Sequence, residues 1–186
     1  MKKSEKRRTP RRKETAGLAI FLEAVSFAAR AHEGQKRRDG QTPYISHPMR
    51  VAMILRHLFG VKDETVLAAA VLHDVLEDTR QDYDDLAARF GERAASYAAM
   101  LSKDNRLPEP LRESSYLIQL KSAPLEVKLI KTADFYDNLR DSSAAHSTPR
   151  EQLFKRARAW LKVLAGERDE RAVRARHHLA GLLAKI

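Results

Sequence analysis

Four ionisable side chains crowd into the six residues His73-Asp74-Val75-Leu76-Glu77-Asp78. They follow the apolar run Val66 to Leu72, so the chain passes abruptly from core-forming to charged residues. On one continuous helix Glu77 lies four residues from His73 and Asp78 four from Asp74, which sets all four on neighbouring faces of a single turn. Three carboxylates so close together are costly to bury unless a cation neutralises them. A divalent metal ion meets that need. A solvated helix end, extended by Asp82, Asp84 and Asp85, is the plain alternative.

An ion needs more ligands than one His-Asp pair supplies. His47 stands before Pro48 at a helix start, where its ring can point inward, although a capping or hydrogen-bonded histidine also fits that position. Asp134 lies in KLIKTADFYDNL, with Lys131 three residues before it and Asn138 four after, on one helix face. That face is otherwise the solvent side of an amphipathic helix. Two imidazoles and two carboxylates, with water in the remaining positions, suit a mixed nitrogen and oxygen ion such as Mn²⁺, with Fe²⁺ or Zn²⁺ as alternatives.

The elements that position these residues are helical. Ala and Leu supply 49 of the 186 residues against 22 for Val, Ile and Thr together, a balance that favours helix over sheet. Apolar periodicity places helices over 18–33, from Pro48 to Gly60, as one unbroken element through ETVLAAAVLHDVLEDT, and then at about 82–90, 92–102, 111–122, 124–139, 150–165 and 168–184. Residues 34–46, 103–110 and 141–149 read as loops, and no strand or internal repeat is evident. The expected fold is all-α.

The absence of cysteine excludes disulfides, thiolate zinc sites and a cysteine nucleophile. The seven-residue run Val66 to Leu72 falls far short of the roughly 20 residues of a membrane span, and no signal peptide is recognisable, so a cytoplasmic location is expected. The net charge of +10 is concentrated in residues 1–14, which hold eight cations against Glu5 and Glu14. We therefore expect a disordered basic tail over 1–16 and one domain over 17–186. The tail reads as solubilising, with nucleic-acid or ribosome contact as the alternative.

The order His47, His73-Asp74, Asp134 resembles the HD metal-dependent phosphohydrolase superfamily. The segments AARAHEGQKRRDGQTPYISHPMRVAMIL, AAAVLHDVLEDT, RFGERA and KLIKTADFYDNLR resemble the hydrolase domain of RelA/SpoT proteins over roughly residues 18–165. The length is similar to that of the small alarmone hydrolases, the stand-alone form that includes a metazoan SpoT homologue. The resemblance implies an HD-domain bundle of eight to ten helices. It also implies a Mn²⁺-dependent 3′-pyrophosphohydrolase that converts ppGpp to GDP, and pppGpp to GTP, with release of pyrophosphate. Carried over by motif, His47, His73, Asp74 and Asp134 would hold the metal, and Glu77 and Asp78 would form the catalytic acidic pair. Arg37, Arg38, Tyr44, Lys131 and Asn138 would line the pocket for a purine nucleotide.

Two departures bear on substrate choice. The family often carries a cation where this chain has Phe135, and Arg38 stands where lysine is common. Adenine alarmones such as (p)ppApp, or the 2′-phosphate of NADPH, are the alternative substrates on the same site. A basic-tailed nucleotide- or RNA-binding protein without turnover is the alternative of a different class. A chain of 186 residues leaves no room for a synthetase domain, so degradation of alarmone is expected and synthesis is not.

Overall fold

The computed structural model describes residues 10–141 and 148–185, with the side chains of 10–15, 148 and 149 outside the description. The expectations for residues 1–9 of the tail and for much of the 141–149 loop lie outside the described residues. Helices account for the ordered elements: α1 (Pro10–Ala31), α2 (Ser46–Ile54), α3 (Glu64–Val71), α4 (Val75–Asp78), α5 (Tyr83–Phe90), α6 (Glu92–Leu101), α7 (Glu109–Ser122), α8 (Leu125–Asp141), α9 (Thr148–Leu164) and α10 (Glu170–Leu183). The fold is all-α, as the composition implied. Among the described residues extended pairing is limited to one isolated bridge between Lys36 and Pro43.

Local signals set the boundaries. Asp63 caps α3 by accepting from the backbone N–H groups of Thr65 and Val66, which would otherwise lack partners. Asp82 and Asp85 form a reciprocal capping box at the start of α5. Gly91 alone separates α5 from α6, at φ +83°, a conformation that side chains with a Cβ rarely adopt. After Ile54 the second helix widens into a π-type turn over Leu55–Phe59 and stops at Gly60, φ +79°. A Cβ at Gly60 would lie 2.8 Å from the end of the flexible Arg174 side chain, so it is the positive φ that requires glycine there.

Two helices build the centre. In α3, every residue from Val66 to Val71 is buried. α3 packs against α1, α2 and α6. The longer α8 is flanked by α2, α3, α6, α7, α9 and α10, and it buries Val127, Leu129, Ile130, Ala133 and Leu139 together with the polar Thr132, Asp134 and Asp137. Thr132 accepts the indole N–H of Trp160 at 2.9 Å, which ties α9 to the centre. Helix α1 begins at Pro10, earlier than the periodicity suggested.

The main departure from expectation is the helix through His73. It is not continuous: α3 ends at Val71, α4 starts at Val75, and Leu72 and Asp74 sit near φ −94° and −100° with ψ close to zero. No glycine or proline marks this break. Its physical cause is burial, because a straight helix would separate adjacent side chains by about 100° around the axis. The turn instead lets His73 and Asp74 face the same point.

Deleting buried methylenes at the centre should be costly, whereas an exposed leucine should be dispensable. Leu129→Ala is expected to lower unfolding free energy by about 3 kcal/mol, and the exposed Leu117→Ala by less than about 0.5 kcal/mol. Urea titration of both variants checks the difference.

Candidate active site

His47 enters from the first turn of α2, His73 and Asp74 from the break after α3, and Asp134 from the middle of α8. His47, His73 and Asp134 are buried and offer ligand atoms that all lie within 4.8 Å of one another. Nε2 of His47 is 3.2 Å from Oδ1 of Asp134 and 3.6 Å from Oδ2 of Asp74. Nε2 of His73 is 3.0 Å from the same Asp74 oxygen, in a direction that makes no hydrogen bond. Four side chains thus aim at one small region.

The opposite nitrogens identify what is being aimed. Nδ1 of His73 donates to the carbonyl of Ala70 at 2.8 Å, since a carbonyl only accepts. Nδ1 of His47 donates to the carboxylate of Asp137 at 2.7 Å. Both Nε2 atoms therefore face carboxylates, an arrangement that calls for a positive charge between them. In a protein without a metal a proton plays that part. Burial disfavours protonation of His47, yet its hydrogen bonds to Asp134 and Asp137 and the charge of Asp74 outweigh burial and lift its pKa to about 9. Burial likewise opposes ionisation of Asp134, but Lys131 and His47 hold its carboxyl well below the usual range. The donor set, two imidazoles with carboxylates, fits a divalent first-row ion.

The other residues singled out from the sequence fall into three places. Lys131 donates to Oδ2 of Asp134 at 2.8 Å and Asn138 to Oδ1 at 2.5 Å, so this face of α8 is the site and not a solvated surface. Glu77 and Asp78 stand on α4, the half-buried Glu77 accepting from the Lys103 backbone N–H at 3.1 Å. Burial, then the neighbouring carboxylates, pushes Asp78 above its ordinary value; burial pushes Glu77 up despite Lys103. Tyr44 lies beneath this cluster, its hydroxyl donating to Asp74 at 2.6 Å.

Beside the ligand set opens a cavity of about 590 Å³ lined by Arg38, Lys103, Tyr116, Lys131, Asn138 and Trp160 among others. Tyr44 and Arg37 are not part of that lining. Arg37 is turned away, its guanidinium bound to Asp141 at 2.7 Å and to Asn138 at 3.0 Å, with only 8% of the side chain exposed. It clamps the loop after α1 onto α8. Phe135 is buried against Trp160 with the Lys131 ammonium over its ring.

Asp137 is the functional residue that the sequence did not disclose. It is 3% exposed, holds His47 Nδ1, and receives Arg50 through two N–H groups at 2.6 and 3.1 Å. The usable signal was spacing: Asp137 lies three residues after Asp134 and Arg50 three after His47, so the pairs share faces on α8 and α2. His32, also buried, bonds to Gln35 and lies against the Tyr44 ring, 4.8 Å between centroids.

Comparison with known proteins shows the family of this chain. A model of the HD domain matches residues 24–166. The chain is similar to the guanosine-3′,5′-bis(diphosphate) 3′-pyrophosphohydrolase MESH1 of Xenopus tropicalis, with 41% identity over 131 residues, 68% of this chain and 72% of that protein. The Homo sapiens MESH1 is 42% identical over 124 residues, 66% of this chain and 69% of its own. A solved structure described as a metazoan orthologue of SpoT that hydrolyses ppGpp superimposes with a TM-score of 0.76 at 30% identity, covering 88% of this chain and 95% of that one.

Two measurements test the site's physics. An ion entering near neutral pH must displace the proton that His47 otherwise keeps up to about pH 9. Calorimetry of Mn²⁺ binding in buffers of different ionisation enthalpy should therefore register proton release, and affinity should weaken as pH falls. Asp137→Asn removes the charge behind His47 and should weaken Mn²⁺ binding by roughly 10- to 100-fold. Paramagnetic resonance of free Mn²⁺ reads that loss directly; an unaltered affinity would show that Asp137 does not support the ligand.

Proposed function

The chain belongs to the HD-domain family and is 41% and 42% identical to two MESH1 ppGpp hydrolases over 68% and 66% of its length, and on that premise we propose that it hydrolyses ppGpp to GDP and pyrophosphate, and pppGpp to GTP and pyrophosphate. The observation that carries this reading is the convergence of His47, His73 and Asp134 beside a cation-lined cavity large enough for a nucleotide.

His47, His73, Asp74 and Asp134 would hold the ion, for which manganese is our assignment. Bound there, it would supply Lewis acidity that polarises a phosphoryl oxygen and acidifies water. The chain's own residues do the rest. Arg38 and Lys131 face the cavity and neutralise phosphate oxygens, Arg38 through a planar fork and Lys131 as a point charge. Asn138 lines the cavity and holds Asp134 in place through its amide N–H. Glu77 is the proton acceptor, because burial raises its pKa toward working pH and the Lys103 N–H fixes its orientation. Asp78 stands beside it on α4 as its partner. Tyr44 donates to Asp74 and steadies that carboxylate.

In the reaction, water oxygen bonds to the phosphorus attached to the ribose 3′ oxygen, and its proton passes to Glu77. The bond from that phosphorus to the 3′ oxygen breaks, the 3′ oxygen takes up a proton, and pyrophosphate leaves. Among the described residues no helix is long and apolar enough to cross a membrane.

Anion-exchange analysis of ppGpp incubated with protein and Mn²⁺ tests the proposal. GDP and pyrophosphate should form, and His73→Ala or chelation should abolish them. Persistence of ppGpp with the metal bound would overturn the assignment. Glu77→Gln should lower kcat by roughly 10²- to 10⁴-fold while Mn²⁺ binding survives. Because the base acts when ionised and its pKa is raised, wild-type kcat should fall with acidification at a pH above the ordinary glutamate value of 4.5. That limb should vanish in the variant.

A further inference from the structure

The mouth of the cavity carries a carboxylate where a phosphate-binding site would be expected to carry none. Glu113, on α7, accepts from the Lys103 ammonium at 2.8 Å through Oε1 and lies 3.4 Å from the Arg156 guanidinium through Oε2. All three residues line the cavity. One carboxylate thus occupies two cations that approach it from different elements, Lys103 from the loop after α6 and Arg156 from α9. Burial works against its ionisation, but Lys103 and Arg156 overcome it and hold the group below its ordinary range, so Glu113 is an anion.

Lys103 is no remote surface residue. Its ammonium and that of Lys131 lie over the same Tyr116 ring, 5.6 and 5.3 Å from the centroid, and Lys131 is bonded to Asp134. Of the two cations held by Glu113, Lys103 therefore stands one aromatic ring away from the lysine that binds the ligand carboxylate. Glu113 and Arg156 are themselves 32% and 52% exposed at the side chain, so an arriving anion reaches them from solvent.

We infer that Glu113 is an internal placeholder for phosphate: it neutralises Lys103 and Arg156 in the empty cavity and must give them up to a phosphorylated ligand. The carboxylate spreads its charge over two oxygens as a phosphate does, with less total charge, so a diphosphate displaces it and a singly charged ligand does not. Glu113 accordingly sets how much negative charge a ligand must bring, which makes it a specificity-determining residue. This inference rests on the phosphohydrolase reading of the same cavity. A purely structural Glu113, one that orients the two cations for the substrate, would act in the opposite direction.

Glu113→Gln distinguishes the two roles. As a placeholder, its loss breaks two partly exposed ion pairs and frees Lys103 and Arg156, so KM for ppGpp should fall by roughly three- to tenfold with kcat unchanged. Inorganic pyrophosphate should bind the metal-free variant more tightly by a similar factor in calorimetry, a readout that needs no turnover. Glu113→Asp keeps the charge and should stay near wild type in both, and thermal melts establish that each variant is folded. A raised KM, weaker pyrophosphate binding, or no change in either would overturn the inference. If neither protein turns over ppGpp but Glu113→Gln still binds pyrophosphate more tightly, the hydrolase reading fails and the placeholder stands. If ppGpp is turned over and neither quantity moves, the placeholder alone fails.

Discussion

Two imidazole Nε2 atoms and two carboxylates are held facing one another in the interior, and that arrangement needs a positive charge between them, a proton on His47 or an ion. His47 and His73 have no freedom to turn away, because each has committed its other nitrogen, one to Asp137 and one to the Ala70 carbonyl. The carboxylates are equally fixed. Asp134 is held by Lys131 and Asn138, and Asp74 by Tyr44. Several kcal/mol of desolvation attend each buried charge, so a fold that assembles such a set must offset the cost through partners or an ion. The surrounding hydrogen bonds supply compensation, and those that His47 makes to Asp134 and Asp137 also raise its pKa.

Much of the fold follows from keeping this set in register. The break between α3 and α4 turns His73 and Asp74 toward His47, at the expense of helical hydrogen bonds that a straight segment would make. The ring of His73 recovers one of them by donating to Ala70. Arg50 and Arg37 draw the first half of the chain onto α8 through Asp137 and Asp141, so α2 and the loop after α1 are fastened to the helix that carries Asp134. Apolar burial along α8 then sets the distance between them. Packing and polar contacts act together here, since neither alone specifies a four-residue convergence from three segments.

The sequence announced the ligand types because a metal site concentrates residues that are otherwise avoided in a core. An acidic cluster after Val66 to Leu72 is hard to explain by amphipathic periodicity, and the order of His47, His73, Asp74 and Asp134 limits the possibilities further. Helix positions were legible for the same local reasons that form them, such as the Asp63 cap and the Gly60 and Gly91 stops. What periodicity could not reveal is pairing across elements. Asp137 becomes a support for His47 only when α2 lies on α8, and Arg37 becomes a clamp and not a cavity cation only when its loop reaches Asp141. The break at residues 72–74 carried no glycine or proline because tertiary burial, and not local propensity, produces it.

Lys131 joins the two halves of the site. Its ammonium touches Asp134 on the ligand side and stands over Tyr116 and Phe135 on the cavity side. Burial by itself would favour its neutral form, so Asp134 is what keeps it charged. A cation brought to the ligand set draws on the same carboxylate that stabilises Lys131, while an anion brought to the cavity restores the stabilisation that Lys131 loses. The two events are therefore favourable to each other in sign, and each relieves the charge imbalance that the other leaves. A site constructed around this lysine suits a substrate that presents phosphate to both sides at once.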